Sequence, residues 1–425
     1  MISFIKQQLH LFAKQHGETP CDNLVISLPL FDLLAFLKGQ TLAPSPIYPS
    51  IYWQDRNQQQ TIVCLGQIEE HYCVPNVTDP QACYFGGLAF QQQGEQWPDF
   101  PAVRFIRPAL EFKQYADKVT LTCHFNGQNG IHSTDALVTQ LQTIAPLSKN
   151  HSTILSRTER PNQQQWADLV ELAIEYKALL PKVVLSRQTE IICAKKINHV
   201  DLLAEWQKAN KASFHFSFQF SQKHAFIGCS PERLFCRNGN QLNTEALAGT
   251  INRGRNEKED QFLLQSLLTD KKIDRENYLV QEFIIANLKQ LKATVCCDDA
   301  RVMQLQNVQH LCVPIKATLA ANTNDASLLH KLHPTPAVGG SPKHPALQFI
   351  NDNEPYIRGW YAGAVGYLSA QKSDFSVAIR SALVKDNKIK LFAGAGIVTG
   401  SIAQQEWQEL DNKIHTILTI LSSQQ

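Results

Sequence analysis

The sequence predicts an α+β protein with largely antiparallel sheet, on three observations. Short extended runs bounded by turn residues recur through the first 150 positions. Three more extended runs crowd together between residues 360 and 398. Helical patterns are present, yet they do not alternate strictly with the strands as a parallel βαβ sheet requires.

In order along the chain, the opening MISFIKQQLHLFAKQHGE interrupts its apolar residues with Lys6, Gln7, Gln8, His10 and Lys14, which predicts an amphipathic helix and not a signal peptide. Extended runs follow at 24–28, 61–65, 82–85 and 118–123, with a proline-rich loop at 42–49 and a helix at 134–144. Pro161 opens a helix over 161–180 and Pro181 ends it. Residues 182–187 read as a strand, 199–209 as a helix, and 214–220 as a strand whose aromatic residues alternate onto one face. Residues 225–229 and 233–237 are extended around the Ser230-Pro231 corner. Asn238-Gly239-Asn240 is a turn signal, because Asn and Gly accept positive φ, and a returning strand delivers residues 245–250. Helices at 257–268 and 274–291, a strand near 302–306, a Pro/Gly loop at 333–342, extended runs at 360–368, 375–384 and 389–398, and a helix at 403–421 complete the chain. Residues 1–150 form an N-terminal β-rich subdomain of the same fold as residues 151–425, without a clean boundary.

Composition excludes several classes. The 425 residues carry 40 basic and 38 acidic side chains, a net charge of +2, so no global field points to nucleic acid or to an anionic membrane. Any anionic ligand has to be met by local groups. The 11 cysteines include no C-x-x-C pair, which argues for reduced thiols in the cytoplasm and against disulfides or zinc. No run of about 18 apolar residues is present to span a membrane.

Several residues carry chemistry, each with a plainer alternative. Glu232 follows a proline corner where a carboxylate can be fixed and desolvated, or is an exposed hairpin residue. Gly249 admits close approach of a ligand to the backbone. Glu276, and Glu406 with Glu409 one helical turn apart, offer the oxygen ligands that Mg²⁺ prefers, although such pairs are commonplace on solvated helices. Arg380 lies within an apolar run and needs a carboxylate, from the protein or from a ligand. Gly394 and Gly396 place backbone N–H groups where an anion can sit. Lys182 alone would be a solvated strand-edge lysine, and His310 and His333 structural or exposed.

Assembled, these residues resemble the chorismate-binding enzymes, the family of anthranilate, aminodeoxychorismate, isochorismate and salicylate synthases. The resemblance rests on Lys182-Val-Val-Leu-Ser-Arg, Gly228-Cys-Ser-Pro-Glu-Arg, Leu247-Ala-Gly-Thr250, Arg275-Glu-Asn-Tyr-Leu-Val, His333-Pro-Thr-Pro-Ala-Val-Gly-Gly, Gly363-Ala-Val-Gly-Tyr367, Ala378-Ile-Arg-Ser-Ala, Phe392-Ala-Gly-Ala-Gly-Ile-Val and Glu406-Trp-Gln-Glu409, in that order. It implies a large fold of two packed antiparallel sheets with flanking helices and a site in the cleft between them. It further implies Mg²⁺ on Glu276 and Glu409, with Glu406 acting through water, to bind the ring carboxylate of chorismate. Arg380, Tyr367 and the backbone around Gly394 would hold the enolpyruvyl carboxylate; Leu247, Ala248, Gly249, Thr250 and His310 would complete the substrate wall.

Two positions select among members. Lys182 stands where the water-using members carry lysine and the ammonia-using ones glutamine, and Ala248 stands where aminodeoxychorismate synthases place a nucleophilic lysine. The resemblance thus implies water as nucleophile, Lys182 as general base, Glu232 as a general acid kept protonated by burial, and no glutaminase subunit. The runs 396–413 and 230–235 are most similar to the menaquinone-pathway isochorismate synthases. Salicylate synthases and siderophore-pathway isochorismate synthases, with nearly the same residues, are the alternatives, followed by a non-catalytic homologue.

Overall fold

Strands far apart in the chain lie side by side in one antiparallel network. The computed structural model of the protein describes residues 1–17, 23–126, 130–304 and 308–422. One half of the network orders the strands Ile154–Arg160, Lys182–Cys193, Lys388–Val398, Ser381–Lys385, Ala225–Ser230, Phe214–Gln219, Ser50–Gln54, Gln60–His71, Val103–Tyr115, Lys118–Cys123 and Leu24–Leu28. The other half starts from Val103–Tyr115 and continues through Cys83–Leu88, Ala364–Ser369, Lys372–Val377, Arg233–Asn238, Gln241–Asn252 and Val308–Thr318, which Thr294–Cys297 and Arg301–Gln304 flank. The two sheets are therefore joined through one long strand, whose pairing with Gln60–His71 shifts register beside Pro108, a residue with no N–H to give. They also pack face to face: Trp53 of one half meets Tyr367 of the other with ring centroids 6.4 Å apart, and the fully buried Trp360 is surrounded by Phe100, Phe218, Phe220 and Phe226.

Two more strands change halves in mid-course. Ala225–Ser230 belongs to the first half, and after the Pro231-Glu232 corner Arg233–Asn238 belongs to the second. Lys372–Val377 belongs to the second half, and Ser381–Lys385, after Arg380, to the first. The corners touch: Val377 N–H donates to Glu232 O at 3.1 Å, and Cys229 N–H donates to Arg380 O at 2.9 Å. The run 375–384 is thus not one strand, because backbone hydrogen bonds between Ala378 and the Ala362-Gly363 turn break it. That same turn, with Ala362 at φ 57°, delays the preceding strand until Ala364.

Other elements match the amino-acid pattern with local differences. The helices His199–Ala209 and Ala403–Ser422 fall where apolar periodicity places them, and the helix expected over 161–180 runs from Gln163, behind an Asn162/Gln165 capping box, only to Glu175, five residues short of the expected end. The helix expected at 134–144 runs from Ile131 to Gln140. Phe214–Gln219 is buried on both faces, not one: its aromatic face meets Trp53, while His215 on the polar face bonds the Asn210 carbonyl beyond the helix His199–Ala209. Arg301–Gln304 is a strand; residues 305 and 306, expected to extend it, lie outside the described residues. Helices Leu33–Thr41, Asp325–Leu332 and Lys343–Asn353 had not been expected. No described helix is long and apolar enough to cross a membrane, and the ten described cysteines are free thiols.

Candidate active site

A cavity of about 350 Å³ opens where the two strand crossovers meet the helices Lys271–Gln290 and Ala403–Ser422. Lys182, first residue of its strand, lies beneath the cavity surface, fully buried. Its backbone is flanked by Ser341 on one side and Val398 on the other. Its Nζ donates to Glu276 Oε1 at 2.9 Å. A Cβ at Gly396 would stand 3.1 Å from that oxygen and 3.4 Å from Lys182 Cε, so the absence of a side chain there makes room for the ion pair.

Glu232 is fixed through its backbone. Its N–H donates to Ser230 Oγ (3.2 Å), and its carbonyl accepts from Val377 N–H (3.1 Å) and Ser376 Oγ (3.0 Å). The side chain is turned into the cavity with the residue 5% exposed. Burial, aided by the nearby Glu245 carboxylate, pushes its pKa up to about 8 against the pull of Lys182, Lys413 and Arg56. Glu245 is held from behind by Arg56, through two side-chain hydrogen bonds at 2.5 and 2.8 Å, and Arg56 also donates to Pro231 O.

A bulge forms another part of the wall. Leu247 pairs with Cys312 and Thr250 with His310, so the strand carries one extra residue in between, with Gly249 at φ 84°. A Cβ there would stand 2.4 Å from Ile273 Cγ2. Asn277, next to Glu276 on its helix and fully buried, donates from Nδ2 to the carbonyls of Ala246, Ala248 and Leu311 at 3.0–3.1 Å. Leu247, Ala248, Gly249 and His310 all line the cavity; of Thr250 only the backbone is described. Burial first, then Arg380 and Lys413, push the His310 pKa down to about 3, while a hydrogen bond to the Gly249 backbone opposes this. His310 is therefore a neutral imidazole.

Arg380, Gly394, Glu406 and Glu409 line the same cavity. Arg380 sits in the left-handed region, φ 47°, at the second crossover, and its guanidinium has no hydrogen-bond or ion-pair partner among the described residues. Burial lowers its pKa and Glu409 and Tyr361 raise it. Tyr367 is not here. It lies inside the strand Ala364–Ser369 and packs between the sheets on Trp53 and Phe85, so it cannot reach a ligand in this cavity. Tyr361, just before the Ala362-Gly363 turn, lines the cavity instead, its hydroxyl 2.8 Å from where a Gly394 Cβ would be. The amino-acid sequence held no clear signal for it, because residues 360–368 read as one extended run and the turn at Ala362 shows only in the structure. Lys413 was also missed; its Nζ donates to Gly394 O at 2.7 Å and to Glu409 Oε1 at 2.5 Å. His333 lies away from the cavity, buried, its Nε2 against Ala89 O.

The carboxylates suit a hard cation. Glu276 and Glu409 come from two helices onto one cavity, each already balanced by a lysine, and Glu406 lines the same space at 8% exposure. No group of three metal-ligating side chains is preassembled among the described residues, so water or ligand oxygens would complete the shell, as Mg²⁺ commonly accepts.

Comparison with known proteins identifies the family. The family profile described as chorismate binding enzyme matches residues 71–422. The chain is 36% identical to the isochorismate synthase MenF of Escherichia coli (strain K12) over 93% of each chain. It is 33% identical to MenF of Haemophilus influenzae over 100% of this chain and 96% of the relative. A solved structure described as the menaquinone-specific isochorismate synthase MenF from Escherichia coli superposes with a TM-score of 0.86 at 34% identity, covering 98% of this chain and 99% of that one. With the match spanning both crossovers, the bulge and both carboxylate helices, the chain belongs to the chorismate-binding enzymes.

Proposed function

We propose that the protein converts chorismate to isochorismate. One observation carries the reading: a buried lysine, Lys182, lies beneath one cavity that a buried carboxyl, Glu232, whose pKa burial pushes up to about 8, lines together with Arg380, which has no ion-pair partner among the described residues. Lys182, in its amine form, removes a proton from water as the water oxygen bonds to ring C2. The diene shifts, and the C4 hydroxyl leaves as water with the proton that Glu232 donates. The balance is one water in and one out, which makes the reaction an isomerisation. Arg380 meets the enolpyruvyl carboxylate, with Tyr361 beside it and Gly394 leaving space. Glu276 and Glu409, with Glu406 through water, are the residues to hold Mg²⁺, which when bound neutralises the ring carboxylate of a dianionic substrate.

Ala248 gives the cavity no amine nucleophile at the wall, in keeping with water as the attacking group and with no glutaminase subunit. The free thiols support a cytoplasmic setting. Similarity to the menaquinone-specific relative supports menaquinone biosynthesis as the use of the product.

Incubation of the protein with chorismate and Mg²⁺, with and without ammonium, followed by product identification, tests the reading. Isochorismate alone is expected in both cases, with activity lost on chelation and restored by Mg²⁺. Salicylate with pyruvate, or anthranilate, would overturn it.

A further inference from the structure

The strand that starts at Lys182 serves a second cavity as well. Lys182, Val184, Ser186 and Gln188 alternate onto one face. Gln188 stands in register with Arg160 on one neighbouring strand and with Phe392 on the other. Here a cavity of about 570 Å³ is lined by Gln188, Arg160, Lys390, Phe90, Trp97 and Tyr356, among others. Gln188 is 6% exposed, and its amide makes no hydrogen bond to a described residue while facing this space. The amide is open to this cavity, so it is placed to hydrogen-bond a polar group of a ligand there. Arg160 and Lys390 likewise have no ion pair among the described residues. Of the acidic groups on the wall, Glu95 is exposed and Glu354 is engaged by Arg358 and Ser186.

The two cavities share a partition of stacked rings. Trp97, on the second cavity, stacks on Phe392 at 5.1 Å, and Phe392 stacks on Tyr361, in the first, at 5.1 Å. Arg358, also on the second cavity, donates to the carbonyls of Val184 (2.6 Å) and Val338 (3.0 Å), residues that line the first.

We propose that this second cavity binds a small aromatic carboxylate: Arg160 and Lys390 meet the anion, the Gln188 amide hydrogen-bonds it, and the ring lies against the Phe90, Trp97 and Tyr356 side. Occupancy bears on the chorismate cavity through the Trp97–Phe392–Tyr361 stack.

Benzoate is the probe, and calorimetry reads its binding whatever product the enzyme makes. It is titrated into Arg380→Ala, in which the first cavity has lost its unpaired cation, and into Arg380→Ala combined with Gln188→Leu or with Arg160→Ala. Arg380→Ala is expected to keep one benzoate site, which either second substitution weakens about tenfold or more. Absence of binding to Arg380→Ala up to about 10 mM benzoate, or equal binding by all three proteins, overturns the proposal. Alone, Gln188→Leu and Arg160→Ala are expected to keep turnover without benzoate within about twofold of the wild type and to remove any effect of benzoate at saturating chorismate. Arg160 is exposed, so its substitution carries the test even if Gln188→Leu does not fold.

Discussion

Glu232 has two measurable consequences. Its pKa in the folded protein, about 8, lies above its ordinary value of 4.5. Between those values the folded state keeps a proton that the unfolded state has lost. The stability this carboxyl contributes is present in full below about pH 4.5 and is lost as pH rises through about 8. Urea denaturation of the wild type and of Glu232→Gln should therefore diverge in favour of the variant across that window and run parallel above it. Turnover by Glu232→Gln should fall about 10²–10⁴-fold, and Lys182→Ala should lose as much. In Glu245→Gln the carboxylate that raises Glu232 is gone while Arg56 remains, so the alkaline limb of kcat/KM should move to lower pH. Glu232 and Arg380 stood out in the sequence as an acid at a proline corner and a charge in an apolar run, whereas Lys182 read locally as a solvated strand-edge lysine and was singled out only by the family resemblance. Tyr361 was not: an aromatic residue beside a glycine turn looks like core, and only the turn at Ala362 decides where it points.

At the scale of elements, the bulge at Ala248-Gly249 and the Asn277 amide form one device. The extra residue disrupts the ladder, and Asn277 takes up the carbonyls around it while its neighbour Glu276 faces Lys182. Asn277→Ala should cost about 1–3 kcal/mol of stability, read as a shift in the urea midpoint. Gly249→Ala should cost about 1–3 kcal/mol through its left-handed φ and impair turnover through the displaced Ile273. Helices with strong periodicity were readable in place, although the one expected over 161–180 ends at Glu175. The run 375–384 was not, since its apolar residues continue through a break that hydrogen bonds from a distant turn impose.

Across the whole molecule, the first 150 residues are woven into the rest. Ser50–Gln54 pairs with Phe214–Gln219, and Cys83–Leu88 pairs with Ala364–Ser369. Circular dichroism and tryptophan fluorescence should accordingly report one coincident unfolding transition, and a fragment of residues 1–150 should not fold alone. Pairings such as Tyr52 with Ser217 or Gly87 with Val365 leave no trace in local composition, so antiparallel sheet was predictable and its order was not. The crossovers at Glu232 and Arg380 also bear on motion. Together with Val103–Tyr115 they carry the main chain from one half of the sheet to the other at three places, two of them hydrogen-bonded to each other. A hinge needs a few residues free to change φ and ψ, and these corners are pinned. With the halves held together at these corners, substrate entry and release are expected on the helical side of the cavity, which Asp270 and Ile273 line beside the helix Lys271–Gln290.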